Sequence, residues 1–166
     1  MIVAETPRLR IRHFTAADSQ FTLQLLNDAS FINNIADRGV RNEHDALQYL
    51  VEGPIKSYQT YGYGLYLVEH VESAESMGMC GLIYRQDLQE TDIGFAFLPQ
   101  FCGQGYATEA AKAVIHYGYH KLQLPRIVGL TSAANINSIN LLSKLGLQFE
   151  KTVMLPAQQQ SVMLFS

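Results

Sequence analysis

The sequence predicts an α/β protein of the α+β type, built as a single domain, and three observations carry that prediction. Three β-rich runs, 63–71, 77–85 and 91–98, follow one another with only short polar turns between them. The third is followed by a long apolar helical stripe, a switch from period two to period 3.6. Helices and strands elsewhere do not alternate in the regular way that a doubly wound parallel sheet requires.

Taken in order, residues 8–14 (R-L-R-I-R-H-F) alternate charged and apolar side chains, the pattern of a half-buried strand. Asp18 is placed to cap a helix running through Leu26. A second helix is expected over 43–61, with Leu47, Leu50, Val51, Ile55 and Tyr58 on one stripe and a kink or a restart at Pro54. Pro99 ends the third strand because it has no ladder donor. After the loop 100–105, Ala107, Ala110, Ala111, Val114, Ile115, Gly118, Tyr119 and Leu122 recur at three and four, an apolar face that Pro125 stops. A strand over 126–131, a helix over 137–145 closed by Gly146, and strands over 148–155 and 161–165 complete the plan.

The 166 residues correspond to one domain of typical size. An apolar content of 48% with 16% charged residues describes a globular chain, and excludes an intrinsically disordered one. Twelve Lys and Arg against 15 Asp and Glu give a net charge of −3. That balance argues against nucleic acid as a partner. No apolar run approaches the ~20 residues needed to span a bilayer, and no secretion signal opens the chain, so a cytoplasmic protein is expected, monomeric or homodimeric. Cys80 and Cys102 are expected to be reduced. His116 and His120 lie one helical turn apart without a third ligand, so no metal site is predicted. Composition leaves a small enzyme or a binding module.

The most informative window is 92–111, D-I-G-F-A-F-L-P-Q-F-C-G-Q-G-Y-A-T-E-A-A. A strand ends, a short loop carries Gly103 and Gly105, and a strong helix starts at once. Free backbone N–H groups of the first helical turn would converge there on a phosphate or pyrophosphate. The dinucleotide fingerprint fails, because Thr108 stands where the third glycine belongs and no ribose-binding carboxylate follows the next strand. A Walker loop fails because no G-K-[ST] is present.

Here the chain resembles the GNAT N-acetyltransferases, specifically the RimJ/RimL-like branch of ribosomal-protein N-terminal acetyltransferases. The family's acetyl-CoA loop, [RQ]-x-x-G-x-[GA], is matched by Gln100-Phe-Cys-Gly103-Gln-Gly105, flanked by I-G-F-x-F-x-P and G-Y-A-T-E-A. The opening Thr6-Pro-Arg-Leu-Arg-Ile-Arg with Asp18, and Asn135-Ile-Asn-Ser138 followed by Lys144-Leu-Gly146, fall in the branch's order. The resemblance implies a mixed, mostly antiparallel sheet of about seven strands, splayed into a V between 91–98 and 126–132 and flanked by about four helices. It implies acetyl-CoA in the V, with no metal. The pyrophosphate would lie on the amides of Gly103 to Ala107, within a cofactor-binding set of Gln100, Gly103, Gln104, Gly105, Tyr106, Ala107 and Thr108. Pantetheine would pair with the backbone at Phe97 and Leu98, with Asn135 and Ser138 across the cleft.

Two departures stand out. Gln100 replaces the commoner arginine and removes a charge near the phosphates; Lys144 or Lys112 would supply some of it, or else each is simply a solvated helix residue. Leu142 stands where many members carry a general-acid tyrosine. Acetyl transfer to an amine needs a base, a positioned thioester, oxyanion donors and a proton for the leaving thiolate. Asp92 is the candidate base or else a solvated strand end, the backbone N–H near Leu98 the expected oxyanion donor, and Ser138 the expected proton source or else a helix-start residue. The acceptor is expected to be an α-amine of a protein, peptide or small amino compound, chosen by segments 30–41 and 155–160.

Overall fold

The computed structural model describes residues 1–166, the side chain of Ala157 excepted. Its eight strands form two sheets. The first orders β1 (Ile2–Glu5), β2 (Leu9–Arg12), β3 (Leu65–His70), β4 (Ser76–Arg85) and β5 (Glu90–Phe97) side by side, each pair antiparallel. The second places β8 (Gln160–Phe165) between β6 (Gly129–Thr131) and β7 (Phe149–Leu155). The two sheets meet in a parallel bridge between Asp92 and Val128. There Ile93 N–H donates to Val128 O, and Val128 N–H to Thr91 O, each at 2.8 Å. Beyond that point β5 and β6 do not pair, so the sheets diverge as the resemblance implied.

The additional strand is β1, which lies before the alternating run and carries no apolar periodicity of its own. It is held as a hairpin, where Thr6 N–H donates to Leu9 O at 2.9 Å and Leu9 N–H to Thr6 Oγ1 at 3.0 Å.

The helices are α1 (Ser19–Leu26), α2 (Ala29–Asn34), α3 (Glu43–Leu50), α4 (Lys56–Tyr61), α5 (Tyr106–His120) and α6 (Ile136–Lys144). The expected helix 43–61 is α3 and α4 joined by a wide π-helical turn, Val51–Ile55. Pro54 inside it lacks the N–H that an α-turn would use, so the backbone widens there. Helix α2 was not anticipated; Asp28 caps it by accepting from Ser30 N–H at 2.9 Å. Asp18 does not reach forward into α1. Its carboxylate instead accepts from Thr15 N–H at 2.8 Å and from Arg12 at 2.9 and 3.0 Å.

The five-stranded sheet is covered on both faces. Ala110, Ala111 and Val114 of α5 pack with Leu9, Ile11, Leu82 and Ile93 on one face. Leu25, Leu26 and Leu50 from the N-terminal helices pack with Leu67 and Met79 on the other. Each fully buried leucine among them contributes ~2 kcal/mol of hydrophobic stabilisation. Strand β5 is thus clamped from two sides while its outer edge stays open.

Candidate active site

Alternation along β5 decides what each residue offers. Ile93, Phe95 and Phe97 send side chains toward α5, while Asp92 and Ala96 face the opposite side. The backbone groups alternate as well, within the plane of the sheet. Thr91 and Ile93 point theirs at Val128, so Phe95 and Phe97 point the same way, into the open V, where no backbone group among the described residues pairs with them. Leu98 points back at β4, and its N–H donates to Met77 O at 3.0 Å. This corrects the expected oxyanion donor, because the Leu98 amide is occupied. The free edge belongs to Phe95 and Phe97.

After Leu98 the chain makes a short 3-10 turn, Pro99–Phe101, and enters the glycine loop. Gly103 has φ +78° and Gly105 φ +82°, left-handed values that glycine adopts without the Cβ penalty. Among the described residues nothing accepts from the N–H of Gly103, Gln104, Gly105, Tyr106, Ala107 or Thr108. These consecutive free donors lie at the positive end of a 15-residue helix, so the loop is chemically fit for a phosphate. The Gln104 side chain braces it by donating to Gln100 O at 2.9 Å. Beside it lies a cavity of about 400 Å³ lined by Gln100, Gln104 and Tyr106, with His70, Glu72 and Glu75 across it.

Asp92 sits at the apex of the V, 3% exposed. Arg85 donates from Nε at 3.1 Å and Nη2 at 3.0 Å to the same oxygen, Oδ2. The other oxygen, Oδ1, is buried without a hydrogen-bond partner among the described residues. Burial pushes the Asp92 carboxyl up to about 6, although the Arg85 charge and its hydrogen bonds favour the anion. A second cavity of about 240 Å³ lies beside this pair, lined by Tyr84, Arg85, Gln86, Asp87, Leu155 and Gln158. It joins the β4–β5 turn to the final hairpin, one of the two segments expected to select the acceptor.

Asn135 and Ser138 open α6, the helix that follows β6. Asn135 is its N-cap, and its Oδ1 accepts from Ser138 N–H at 3.2 Å. The Asn135 side chain is therefore committed to the helix start, whereas the Ser138 hydroxyl makes no hydrogen bond among the described residues. Leu142 is 1% exposed, and a Cβ on Gly129 would lie 2.5 Å from its Cδ2. The position of the missing tyrosine is a packing position in this chain.

Two residues escaped the sequence reading. Arg85 is paired in register with Glu90 and stands diagonal to Asp92 on the same sheet face, a relation fixed by the β4–β5 turn. Arg8, far away in sequence, reaches the glycine loop and donates to Gln104 O at 3.0 Å. The only hint was its place in the opening T-P-R-L-R motif. Among the described residues no group of three His, Cys, Asp or Glu side chains is arranged to hold a metal, and His116 and His120 stack on each other at 4.0 Å. Among the described residues no helix is long and apolar enough to cross a membrane. Cys80, buried, and Cys102, exposed, are both free thiols.

The Acetyltransferase (GNAT) domain family model matches residues 8–148, which takes in the glycine loop, Asp92 and Ser138. The chain belongs to the GNAT acetyltransferase family. Similar proteins include YkkB of Bacillus subtilis, 28% identical over 151 residues (89% of this chain, 86% of that protein). The uncharacterised N-acetyltransferase YnaD of the same organism is 28% identical over 150 residues, 87% of this chain and 82% of its own. Among solved structures, a GNAT-family acetyltransferase from Bordetella pertussis superposes with a TM-score of 0.80 at 21% identity, covering 99% of this chain and 98% of its own. RimL, a ribosomal L7/L12 alpha-N-protein acetyltransferase solved with coenzyme A, superposes with a TM-score of 0.84 at 17% identity, covering 99% and 96%. As a GNAT N-acetyltransferase, the protein has its free β5 edge and glycine loop in one continuous line that ends at Asp92.

Proposed function

We propose that residues 1–166 act as one domain that transfers an acetyl group from acetyl-CoA to a primary amine, by direct attack in a ternary complex. The observation that carries this reading is the continuity just described. A phosphate-fit nest of free amides leads along the unpaired Phe95 and Phe97 edge to a buried carboxyl with one bare oxygen. Pantetheine amides added along that edge would complete the sheet as an extra strand. Asn135 and Ser138 would close the far side.

At the apex, Oδ1 of Asp92 is placed to accept a hydrogen bond from the incoming amine. The amine nitrogen bonds to the thioester carbon, the C–S bond breaks, and the proton leaves the nitrogen toward Asp92. The thiolate takes a proton from Ser138 or from water that Ser138 orients. An α-amine, with a pKa of ~8, loses its proton far more readily than a lysine-like amine at ~10.4, which favours the α-amine as acceptor. The RimJ/RimL-like likeness of the fold supports the same choice, with a protein or peptide N-terminus, or a small amino compound, at the Arg85 cavity. The setting is a cytoplasmic one, where acetyl-CoA is available.

The test is thiol release from acetyl-CoA with a panel of α-amino peptides, amino acids and ω-amines. Turnover on α-amines above that on ω-amines is expected. CoA binding without turnover on any amine would reject the enzyme reading of the site.

A further inference from the structure

We propose that Arg8 is a cosubstrate-binding residue, giving its Nη2 to the pyrophosphate of acetyl-CoA beside the amides of the glycine loop. The inference deepens the acetyl-CoA reading above and rests on it. Arg8 stands just before β2, where its own C=O accepts from Val71 N–H at 2.9 Å. Its side chain extends to the start of α5. Nε donates to Glu109 Oε2 at 2.7 Å, and the Arg8 backbone N–H to Glu109 Oε1 at 3.3 Å. Nη1 donates to Gln104 O at 3.0 Å, and the guanidinium carbon lies 4.2 Å from the centre of the Tyr106 ring.

Those contacts fix the plane of the guanidinium and leave Nη2 as its one nitrogen with no acceptor among the described residues. Nη2 sits against the nest itself, since a Cβ on Gly105 would lie 3.4 Å from it. Glu109 poses a problem that Arg8 solves. A carboxylate in the first helical turn would repel a phosphate at the same helix end; against the upward push of burial, hydrogen bonds from Thr6 and then Arg8 hold Glu109 below the usual carboxylate range, and the Arg8 charge neutralises it. The Arg8 side chain as a whole is 41% exposed, which leaves it open to a ligand. Gln100 supplies no charge, and the chain as a whole carries −3. A held cation at the loop meets the need that the missing loop arginine leaves, with charge-assisted bonds about twice as strong as neutral ones.

The experiment compares wild type with Arg8→Gln, using calorimetric binding of CoA and dephospho-CoA and turnover of acetyl-CoA against S-acetylpantetheine, which has no phosphates. Arg8→Gln is expected to weaken CoA and dephospho-CoA alike by roughly 10-fold to 100-fold, the worth of one charged hydrogen bond. It should leave kcat/KM for S-acetylpantetheine within about twofold of wild type. Arg8→Lys, which keeps the charge but not the fork, is expected to fall between and serves if the glutamine variant does not fold. Equal loss on both acetyl donors would make Arg8 a structural residue and overturn the proposal. So would unchanged CoA affinity, or a penalty that vanishes with dephospho-CoA. Wild-type protein that binds no CoA would overturn the acetyl-CoA reading itself, and this proposal with it.

Discussion

Arg85 spends two donors, Nε and Nη2, on one oxygen of Asp92 and none on the other. The pair thus holds the carboxyl in a fixed orientation while Oδ1 stays bare inside the protein, 3% exposed. A carboxylate used only for stability would be expected to satisfy both oxygens, since an unpaired buried acceptor costs ~1–3 kcal/mol. The arrangement fits a group that waits for a donor from the acceptor amine.

Asp92→Asn is expected to lower kcat/KM by ~100-fold or more, the usual worth of a positioned base, with CoA affinity unchanged. The sign of the pH dependence follows from the raised carboxyl. As the proposed base, Asp92 would be protonated and inactive below about 6 and ionised above it. With a peptide α-amine of pKa ~8, log kcat/KM should rise with slope one between the two values and slope two below the lower. The Asn variant should keep slope one throughout. A full pH–rate profile of both proteins checks this, and a slope of one in wild type below the Asp92 value would remove Asp92 as the base.

Arg85→Met removes the cation that counteracts burial, so the Asp92 carboxyl should rise further and the acid limb of the rate profile should move to higher pH. Breaking a buried pair from one side costs ~3–5 kcal/mol. A lower Tm by thermal melting is expected alongside the displaced limb.

His13 stacks on Tyr58 at 3.9 Å between centroids, and its Nε2 is buried without a partner. Burial first, and the N-terminal charge second, lower its pKa below the ordinary ~6.5. The unfolded chain therefore takes up a proton near that value before the folded one does. Stability should be lost as pH falls below ~6.5, and His13→Gln should flatten that slope. Chemical unfolding at a series of pH values between 7.5 and 5 measures it.

Leu142→Tyr restores the residue type many relatives of the family carry, yet it should not restore a general acid. The side chain would enter the space between α6 and Gly129, and overpacking of this kind costs ~1–3 kcal/mol. Lower Tm with no gain in kcat is expected. A faster variant would show that the position faces the cleft.

Gly103→Ala and Gly105→Ala both place a Cβ at positive φ, a strain of ~1–2 kcal/mol each. Only the second meets a neighbour, Arg8 Nη2; the first meets nothing within 4 Å. Similar losses of Tm are expected for the two, with CoA affinity falling further in Gly105→Ala. Equal affinities in the pair would argue that the space beside Gly105 takes no ligand.

Much of this was legible from local pattern. The period-two runs became β3, β4 and β5 within a residue or two, and the apolar stripe became α5, because one face of each element must be buried. The Gly103 and Gly105 loop was legible because only glycine sits readily at such φ values. Helix α2 and strand β1 were not, since neither carries a sustained apolar face. Leu98 was misjudged for a different reason. Which edge of a strand its amide faces depends on pairing, and the Met77 partner is 21 residues away in the chain.

The sequence by itself determined the order of the elements other than β1 and α2, the glycine loop before α5 and the family pattern, all of which depend on side-chain type at short spacing. The tertiary structure alone decided that β5 and β6 part after Asp92, that Arg85 takes one of its two carboxylate oxygens, and that Arg8 crosses from just before β2 to the loop at α5. Those are contacts between segments as much as 101 residues apart. Their geometry comes from strand register and packing, which no local run of residues records.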